Sequence, residues 1–340
     1  MAVPMRLTEL RAIASGLTAE QLTGLLVEVY RCVPKTAREG AGLDDFLRDP
    51  SEVRGKRPKQ SGPSAPDMAL LALEAEAFIQ DAYASYYFAP NRFIPKRERP
   101  KWRFIVMRLY KALQRAGGNE QERAEAADLL FRLYTLLCDA SKKLLFSSSD
   151  PFESLRISRA DFFRAILALK QAVLPPEEFT EFAVRHATAD APDRYTIHTG
   201  LIDAALPFFK TPDAKEQALA VCRRAQSAMK ASLRGQPRAG RLSSYQEDGG
   251  VNALTRMIFT LHAALHDHEA AIADFKANGR YGGPESSLYS LLRTLYDFGQ
   301  MDLLLREYDR AVNEGIHPRE ELGKMVQGIR DAGRLPKYFG

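Results

Sequence analysis

The sequence predicts an all-α protein: an α-solenoid of stacked helical hairpins with a period of 34–35 residues, behind a helical N-terminal extension. Three observations lead there. Apolar residues recur at helical spacing along most of the chain. No set of segments alternates Val, Ile or Thr with polar residues as half-buried strands would. Several features of the second half share one sequence offset, the mark of stacked repeat units.

The helices follow in order. Thr8 to Ala14 reads as a first helix, followed by Gly16. Thr18 then suits an N-cap, with Glu20 and Gln21 in the first turn and Leu22, Leu25, Leu26 and Tyr30 at helical spacing. Pro34 agrees with that helix ending. Arg54 to Pro66 holds four basic residues, three prolines and two glycines, the composition of a linker or exposed loop. Met68 to Phe88 carries Leu71, Phe78, Ala82 and Tyr86 on one apolar side. Lys101 to Arg115 follows Pro100, a good helix opener, and Gly117-Gly118 closes it. Ala124 to Leu145 is bounded by Ser147-Ser148-Ser149 and Pro151. Asn278-Gly279 resembles a hairpin turn, but it follows a helix, where Gly279 acts as a C-cap.

The repeat is clearest near the C-terminal end. The apolar pair Leu291-Leu292 recurs 34 residues on as Met325-Val326 and 34 back as Met257-Ile258. Gly299 recurs as Gly333 and Pro284 as Pro318, again 34 apart. Ile166-Leu167 and Leu201-Ile202 form weaker copies 35 apart. From Leu201-Ile202 to Met257-Ile258 the offset is 56, which implies an insertion at about 233–250. A two-helix unit of this length cannot bury both faces alone, so neighbours must stack. The chain therefore divides into an N-terminal helical segment (1–53), a basic linker (54–66), a helical region (67–157) and the repeat array (158–340).

These residues resemble the pentatricopeptide repeat. Ser286 to Pro318, SSLYSLLRTLYDFGQMDLLLREYDRAVNEGIHP, has an apolar pair in a first helix, a glycine after it, a second helix and a final Gly-Ile-x-Pro. Val251 to Pro284 looks like the preceding copy, with Leu265 where the glycine would sit, and Glu320 to Phe339 resembles most of another. The Trp/Leu-Gly/Tyr signature of the related tetratricopeptide repeat is not visible. The resemblance implies RNA binding without a catalytic site, in mitochondria or another organelle. Helical-repeat readers of RNA use side chains on successive first helices. The resemblance places reading residues just before the apolar pair, at Arg256, Ser290 and Lys324, and at the repeat end, at Glu285 and Arg319. Ser290 suits the usual small polar choice. The others depart from the Asn/Ser/Thr and Asp/Asn pattern and argue against one-base-per-repeat readout. Arg256 and Lys324 are then either phosphate contacts or ordinary solvated charges.

Three basic clusters add to this. The first is Arg92, Lys96, Arg97, Arg99, Lys101 and Arg103 against the one acid Glu98, flanked by Tyr86, Tyr87, Phe88, Phe93 and Trp102. Basic groups with aromatic neighbours bind phosphate and stack on bases. Alternatively, Tyr87, Phe93 and Trp102 are core residues anchoring a loop. The second is Arg54, Lys56, Arg57 and Lys59 in the linker. The third is Arg223, Arg224, Lys230, Arg234, Arg238 and Arg241, with no acid between Arg223 and Arg241. The second and third read either as RNA contacts or as solvated segments.

The chain offers little to catalysis. It has no phosphate-binding GxxxxGK[ST] loop, no GxSxG elbow and no GxGxxG after a strand. His262 and His266 share the i, i+4 spacing of zinc ligands, but Ala-Ala-Leu lies between them in place of a metalloprotease glutamate. Helix-surface or packing roles fit these histidines better, and no cofactor or metal is expected. Glu177-Glu178 and Glu320-Glu321 follow prolines in first helical turns, where the helix dipole explains them. No run of 18 apolar residues occurs, so membrane insertion is not expected. Three scattered cysteines, Cys32, Cys138 and Cys222, favour a reducing soluble compartment if the mitochondrial expectation fails. Lys and Arg (48) exceed Asp and Glu (43) by only five, yet the basic residues gather in the three clusters. The expected protein is a non-enzymatic component of an organellar ribonucleoprotein, such as a mitochondrial ribosome or RNA-processing assembly. The alternative is a protein–protein scaffold without RNA contact.

Overall fold

A computed structural model describes residues 13–34, 38, 43–48, 67–88, 101–116, 118–189, 200–234 and 241–332, apart from the side chains of 45, 46, 48, 233, 234 and 241–248. The described residues form fifteen α-helices, one 3-10 turn and no strand. The fold is all-α. The Arg54–Pro66 segment lies outside the described residues, as do residues 1–12.

The chain divides into two compact units, 1–64 and 65–340. The first contains α1 (Ala19–Cys32) and α2 (Leu43–Arg48). Thr18 closes a capping box on α1: Gln21 N–H donates to Thr18 Oγ1 at 3.3 Å and Thr18 N–H donates to Gln21 Oε1 at 2.9 Å. The Tyr30 hydroxyl donates to Asp44 Oδ1 at 2.6 Å, tying α1 to α2. Leu22, Leu25 and Leu26 stay exposed, and α1 buries no residue.

The second unit runs α3 (Met68–Tyr83), α4 (Lys101–Arg115), α5 (Glu120–Lys142), α6 (Pro151–Leu155), α7 (Arg159–Val173), α8 (Pro176–Thr188), α9 (Leu201–Ala205), the 3-10 turn Leu206–Phe208, α10 (Pro212–Arg234), α11 (Arg241–Ala264), α12 (His268–Asn278), α13 (Pro284–Asp297), α14 (Met301–Asn313) and α15 (Glu320–Ala332). Side chains placed just before the helices set their starts. Asp67 accepts from Ala69 N–H, Asn119 from Glu122 N–H, Ser158 from Asp161 N–H and Asp267 from Ala270 N–H.

Packing runs between sequence neighbours. Helices α3, α4 and α5 contact one another, α5 packs on α7, α7 on α9, and α8 on α10. Beyond that, α10 packs on α11 and each helix from α11 to α15 on the next. One buried cluster extends from Met68 to Leu261, crossing the expected boundary at 157–158 without a break. A second extends from Phe259 to Ile329. The two meet in α11, where Met257, Ile258 and Leu261 join the first and Phe259 and Ala263 the second.

The apolar pairs at 34-residue offsets are buried: Met257-Ile258, Leu291-Leu292 and Met325-Val326 are each at most 3% exposed. Ile166-Leu167 lies buried in α7, but Leu201-Ile202 sits in a single five-residue turn of helix. The segment expected as an insertion at 233–250 differs more. Residues 241–250 are the opening turns of α11. Gly250 faces α10, and a Cβ there would stand 2.9 Å from Met229 Sδ, so glycine lets the two helices close.

Helix ends also correct the sequence reading. Tyr86 does not join the apolar side of α3. The helix stops at Tyr83, Ser85 takes φ 62, and Tyr86 is 70% exposed. After α13 the left-handed residue is Gly299, with Gly299 N–H to Tyr296 C=O and Gln300 N–H to Leu295 C=O, both 2.9 Å. The matching bonds after α11 are His266 N–H to Ala263 C=O and Asp267 N–H to His262 C=O, both 3.0 Å. The left-handed position is therefore His266 (φ 61), not Leu265. Gly279 does cap α12, but with extended backbone.

This difference is testable by chemical denaturation. His266→Gly is expected to raise stability by ~0.5 kcal/mol, because it relieves the Cβ clash of the left-handed conformation. Leu265→Gly is expected to lower it by ~2 kcal/mol, because Leu265 packs against the larger core. The reverse order of midpoints would place the turn at Leu265.

Candidate nucleic-acid interface

The expected reading positions lie on α11 (Arg256), α13 (Glu285 and Ser290) and α15 (Lys324) and just before α15 (Arg319), and two of them, Glu285 and Arg319, engage each other. Arg256 on α11 reaches α13, with Nη2 3.6 Å from Asp297 Oδ2. Asp297 also faces Arg293 Nε at 3.4 Å. Arg319 donates twice to Glu285, Nε to Oε1 and Nη2 to Oε2, both at 2.8 Å. That pairing holds the Glu285 carboxyl below its ordinary range and the Arg319 guanidinium above its own. Lys324 binds Glu320 one turn away at 2.6 Å. Ser290 is half-buried, and its carbonyl accepts from the Thr294 hydroxyl at 2.8 Å. Beside the Glu285–Arg319 pair a cavity of about 270 Å³ is lined by Tyr289, Arg293, Leu322 and Met325.

The three members of the third basic cluster whose side chains are described, Arg223, Arg224 and Lys230, contact other elements of the chain. Arg223 Nη2 contacts His262 Nε2 at 3.0 Å and so links α10 to α11. Arg224 reaches Glu181 of α8 at 3.1 Å. Lys230 donates to Asn278 Oδ1 at the end of α12. Arg234 and Arg241 belong to α10 and α11, although their side chains lie outside the described residues, as does Arg238 altogether. Another charge is held inside. Glu307 of α14 is 1% exposed and faces Lys276 of α12, with Arg306 Nη2 at 3.5 Å and Arg310 Nη1 at 3.4 Å.

Four members of the first cluster, Arg92, Lys96, Arg97 and Arg99, lie outside the described residues, as do Phe93 and the linker residues Arg54, Lys56, Arg57 and Lys59. Lys101 and Arg103 open α4 and are exposed. Their aromatic neighbours separate into two kinds. Trp102 is buried and stacks on Phe146, with centroids 4.3 Å apart and planes 11° apart. Tyr87 packs on Phe78 at 5.1 Å and on Phe146 at 6.3 Å. Tyr86 and Phe88 remain exposed.

Beyond Arg103 the basic cluster continues along α4. Lys101, Phe104, Arg108, Lys111 and Arg115 follow one another at intervals of three and four residues, which puts them on one face of α4. All five are exposed, Phe104 to 74%. The signal was legible as the spacing KxxFxxxRxxKxxxR, but burial of the alternate face was needed to show which stripe faces water. That buried face is Trp102, Val106, Leu109 and Leu113.

The histidines do not assemble a metal site. His266 lies past the end of α11 in the left-handed region, so it does not share a helical face with His262. His262 is buried, and burial together with Arg223 holds its imidazole below the ordinary range, partly offset by Asp267 and Asp274. No group of three His, Cys, Asp or Glu side chains among the described residues has a metal-binding arrangement. Burial raises the Cys138 thiol and takes Cys222 up to about 12, away from thiolate chemistry. No helix among the described residues is long and apolar enough to cross a membrane.

His186 supplies a pH test. It lies 4.5 Å from the Phe131 and Phe182 rings, and burial, aided by Arg185 and Lys170, lowers it from 6.5 to about 4. The unfolded chain therefore binds the proton more readily between those values, so the contribution is full above pH 6.5 and is lost as pH falls toward 4. Partial exposure limits the loss to ~1 kcal/mol. Urea midpoints at pH 7 and pH 4.5 should show His186→Gln with a shallower acid decline than the parent.

No family model matches this chain, and no curated protein or solved structure matches it.

Proposed function

We propose that this chain is a non-catalytic helical-repeat protein of a ribonucleoprotein assembly, its hairpins stacked as an α-solenoid. It binds RNA mainly through the phosphate backbone and neighbouring proteins through its helical faces. An organellar assembly is the setting that the repeat resemblance suggests. The observation that carries this reading is the Glu285–Arg319 bond. The two residues are 34 apart, so equivalent positions of successive repeats stand side by side, as stacking requires. The same bond supports backbone rather than base recognition, because both repeat-end side chains are already committed.

One finding favours a second reading, a protein scaffold without RNA contact. Arg223, Arg224, Lys230, Arg256 and Lys324 all have partners within the chain. Phosphate contact must then rest on other cations.

Filter binding of the full chain to short single-stranded RNAs at rising salt separates the two. Backbone binding through three or more phosphates is expected to give a log–log salt slope of about −2 or steeper. Oligomers of different base composition should bind within a few-fold of one another, and Arg256→Ala should change affinity less than twofold. No detectable binding at low salt, with ribonuclease-resistant copurification of proteins, would establish the scaffold instead.

A further inference from the structure

Helix α4, KWRFIVMRLYKALQR, contains five basic residues and no acidic one. Its apolar face is consumed by the core: Trp102, Val106, Leu109 and Leu113 are at most 2% exposed. What remains is the stripe Lys101, Phe104, Arg108, Lys111 and Arg115, with Arg103 beside it. At 1.5 Å per residue, Lys101 and Arg115 stand ~21 Å apart along the axis. Phe104 is the most exposed large apolar side chain among the described residues. Its ring is therefore open to a partner, set at helical spacing among cations.

A second exposed ring lies near the start of this stripe. Phe146 stacks on Trp102 and also contacts Tyr87, which brings the turn after α3 to the amino end of α4. Tyr86, beside Tyr87, is 70% exposed. Glu74 of α3 pairs with Arg108, itself still 61% exposed.

We propose that the solvent face of α4 is a binding platform for single-stranded RNA, with Phe104 stacking on a base and Lys111 and Arg115 holding phosphates. This rests on the RNA-binding reading above and gives it a location outside the repeats. The chemistry selects among partners. A polyanion matches an acid-free helix, and a base presents the π-face that an exposed phenylalanine lacks within the protein. A duplex keeps its bases stacked away from such a ring. An anionic membrane would need an apolar face to bury, and that face of α4 already lies in the core. An acidic protein surface would leave Phe104 without a pocket.

The test uses the full chain and a fluorescein-labelled 12-nucleotide oligouridylate, read by anisotropy. Phe104→Ala is expected to weaken binding about 5- to 100-fold with the salt slope unchanged, and Phe104→Trp to restore it. Lys111→Glu with Arg115→Glu is expected to weaken binding at least tenfold and to flatten the slope by ~1.4, the share of two phosphates on a single strand. All substituted side chains are exposed, and circular dichroism with thermal melting checks that the fold is kept. In the parent chain, ultraviolet crosslinking should place uridine on the peptide containing Phe104. Parent-level binding by both variants, or crosslinks confined to 251–332, would overturn the platform and leave RNA binding by the chain intact. Absence of binding by the parent would overturn both. Equal competition by the matching duplex, by anionic phosphatidylserine vesicles or by polyglutamate would also overturn the assignment to single-stranded RNA.

Discussion

Burial of α11 on both faces is the constraint on which the second unit depends. From Val251 to Ala263 almost every side chain is out of water. Met257, Ile258 and Leu261 complete the core that begins at Met68, while Phe259 and Ala263 begin the one that ends at Ile329. A helical stretch buried on all sides has no solvent side, so the polar groups it carries need internal partners. Gln226 Nε2 donates to Thr255 Oγ1 at 2.9 Å, and the Thr255 hydroxyl in turn donates to the Val251 carbonyl. Asn252 exchanges two hydrogen bonds with the Arg280 backbone and so fixes the turn between α12 and α13. Removing this helix would strand apolar surface on both sides at once.

Charge follows the same logic of place. From α11 to α15 basic residues join one element to another: Arg256 to Asp297, Arg319 to Glu285, Lys276 to Glu307. Surface pairs of this kind each contribute little to stability, but they fix which faces meet. Glu307 is different, since its burial requires the surrounding cations to offset its desolvation. A cation engaged in this way offers a weaker attraction to an external phosphate. The net excess of five is therefore a poor guide to where a polyanion would settle. The basic stripe of α4 is a better one, because the helix itself carries no acidic residue.

Much of the helical framework was legible in local chemistry. Thr18, followed by Gln21, marked a cap that forms. Pro176 and Pro284 open helices, as their fixed φ favours. The paired apolar residues at 34-residue offsets are buried. The reading failed where two elements decide a residue's fate together. The Gly-rich 241–250 stretch is helical, and at Gly250 only the approach of Met229 explains the glycine. Tyr86 continues an apolar pattern that the turn at Ser85 breaks. Leu265 aligns with Gly299 by counting, yet the left-handed turn falls one residue later, at His266.

Sequence alone determined that this chain is helical, roughly where its helices begin, and which side of most of them is apolar. Those properties depend on contacts within a turn or two, so local spacing encodes them. Tertiary structure decided which charges are spent and which remain. Arg256 and Lys111 are both single basic residues in helical sequence, but one is 21% exposed against Asp297 and the other is exposed on α4. The difference arises from elements far apart in the chain, whose packing sets both the distance to a carboxylate and the access of water.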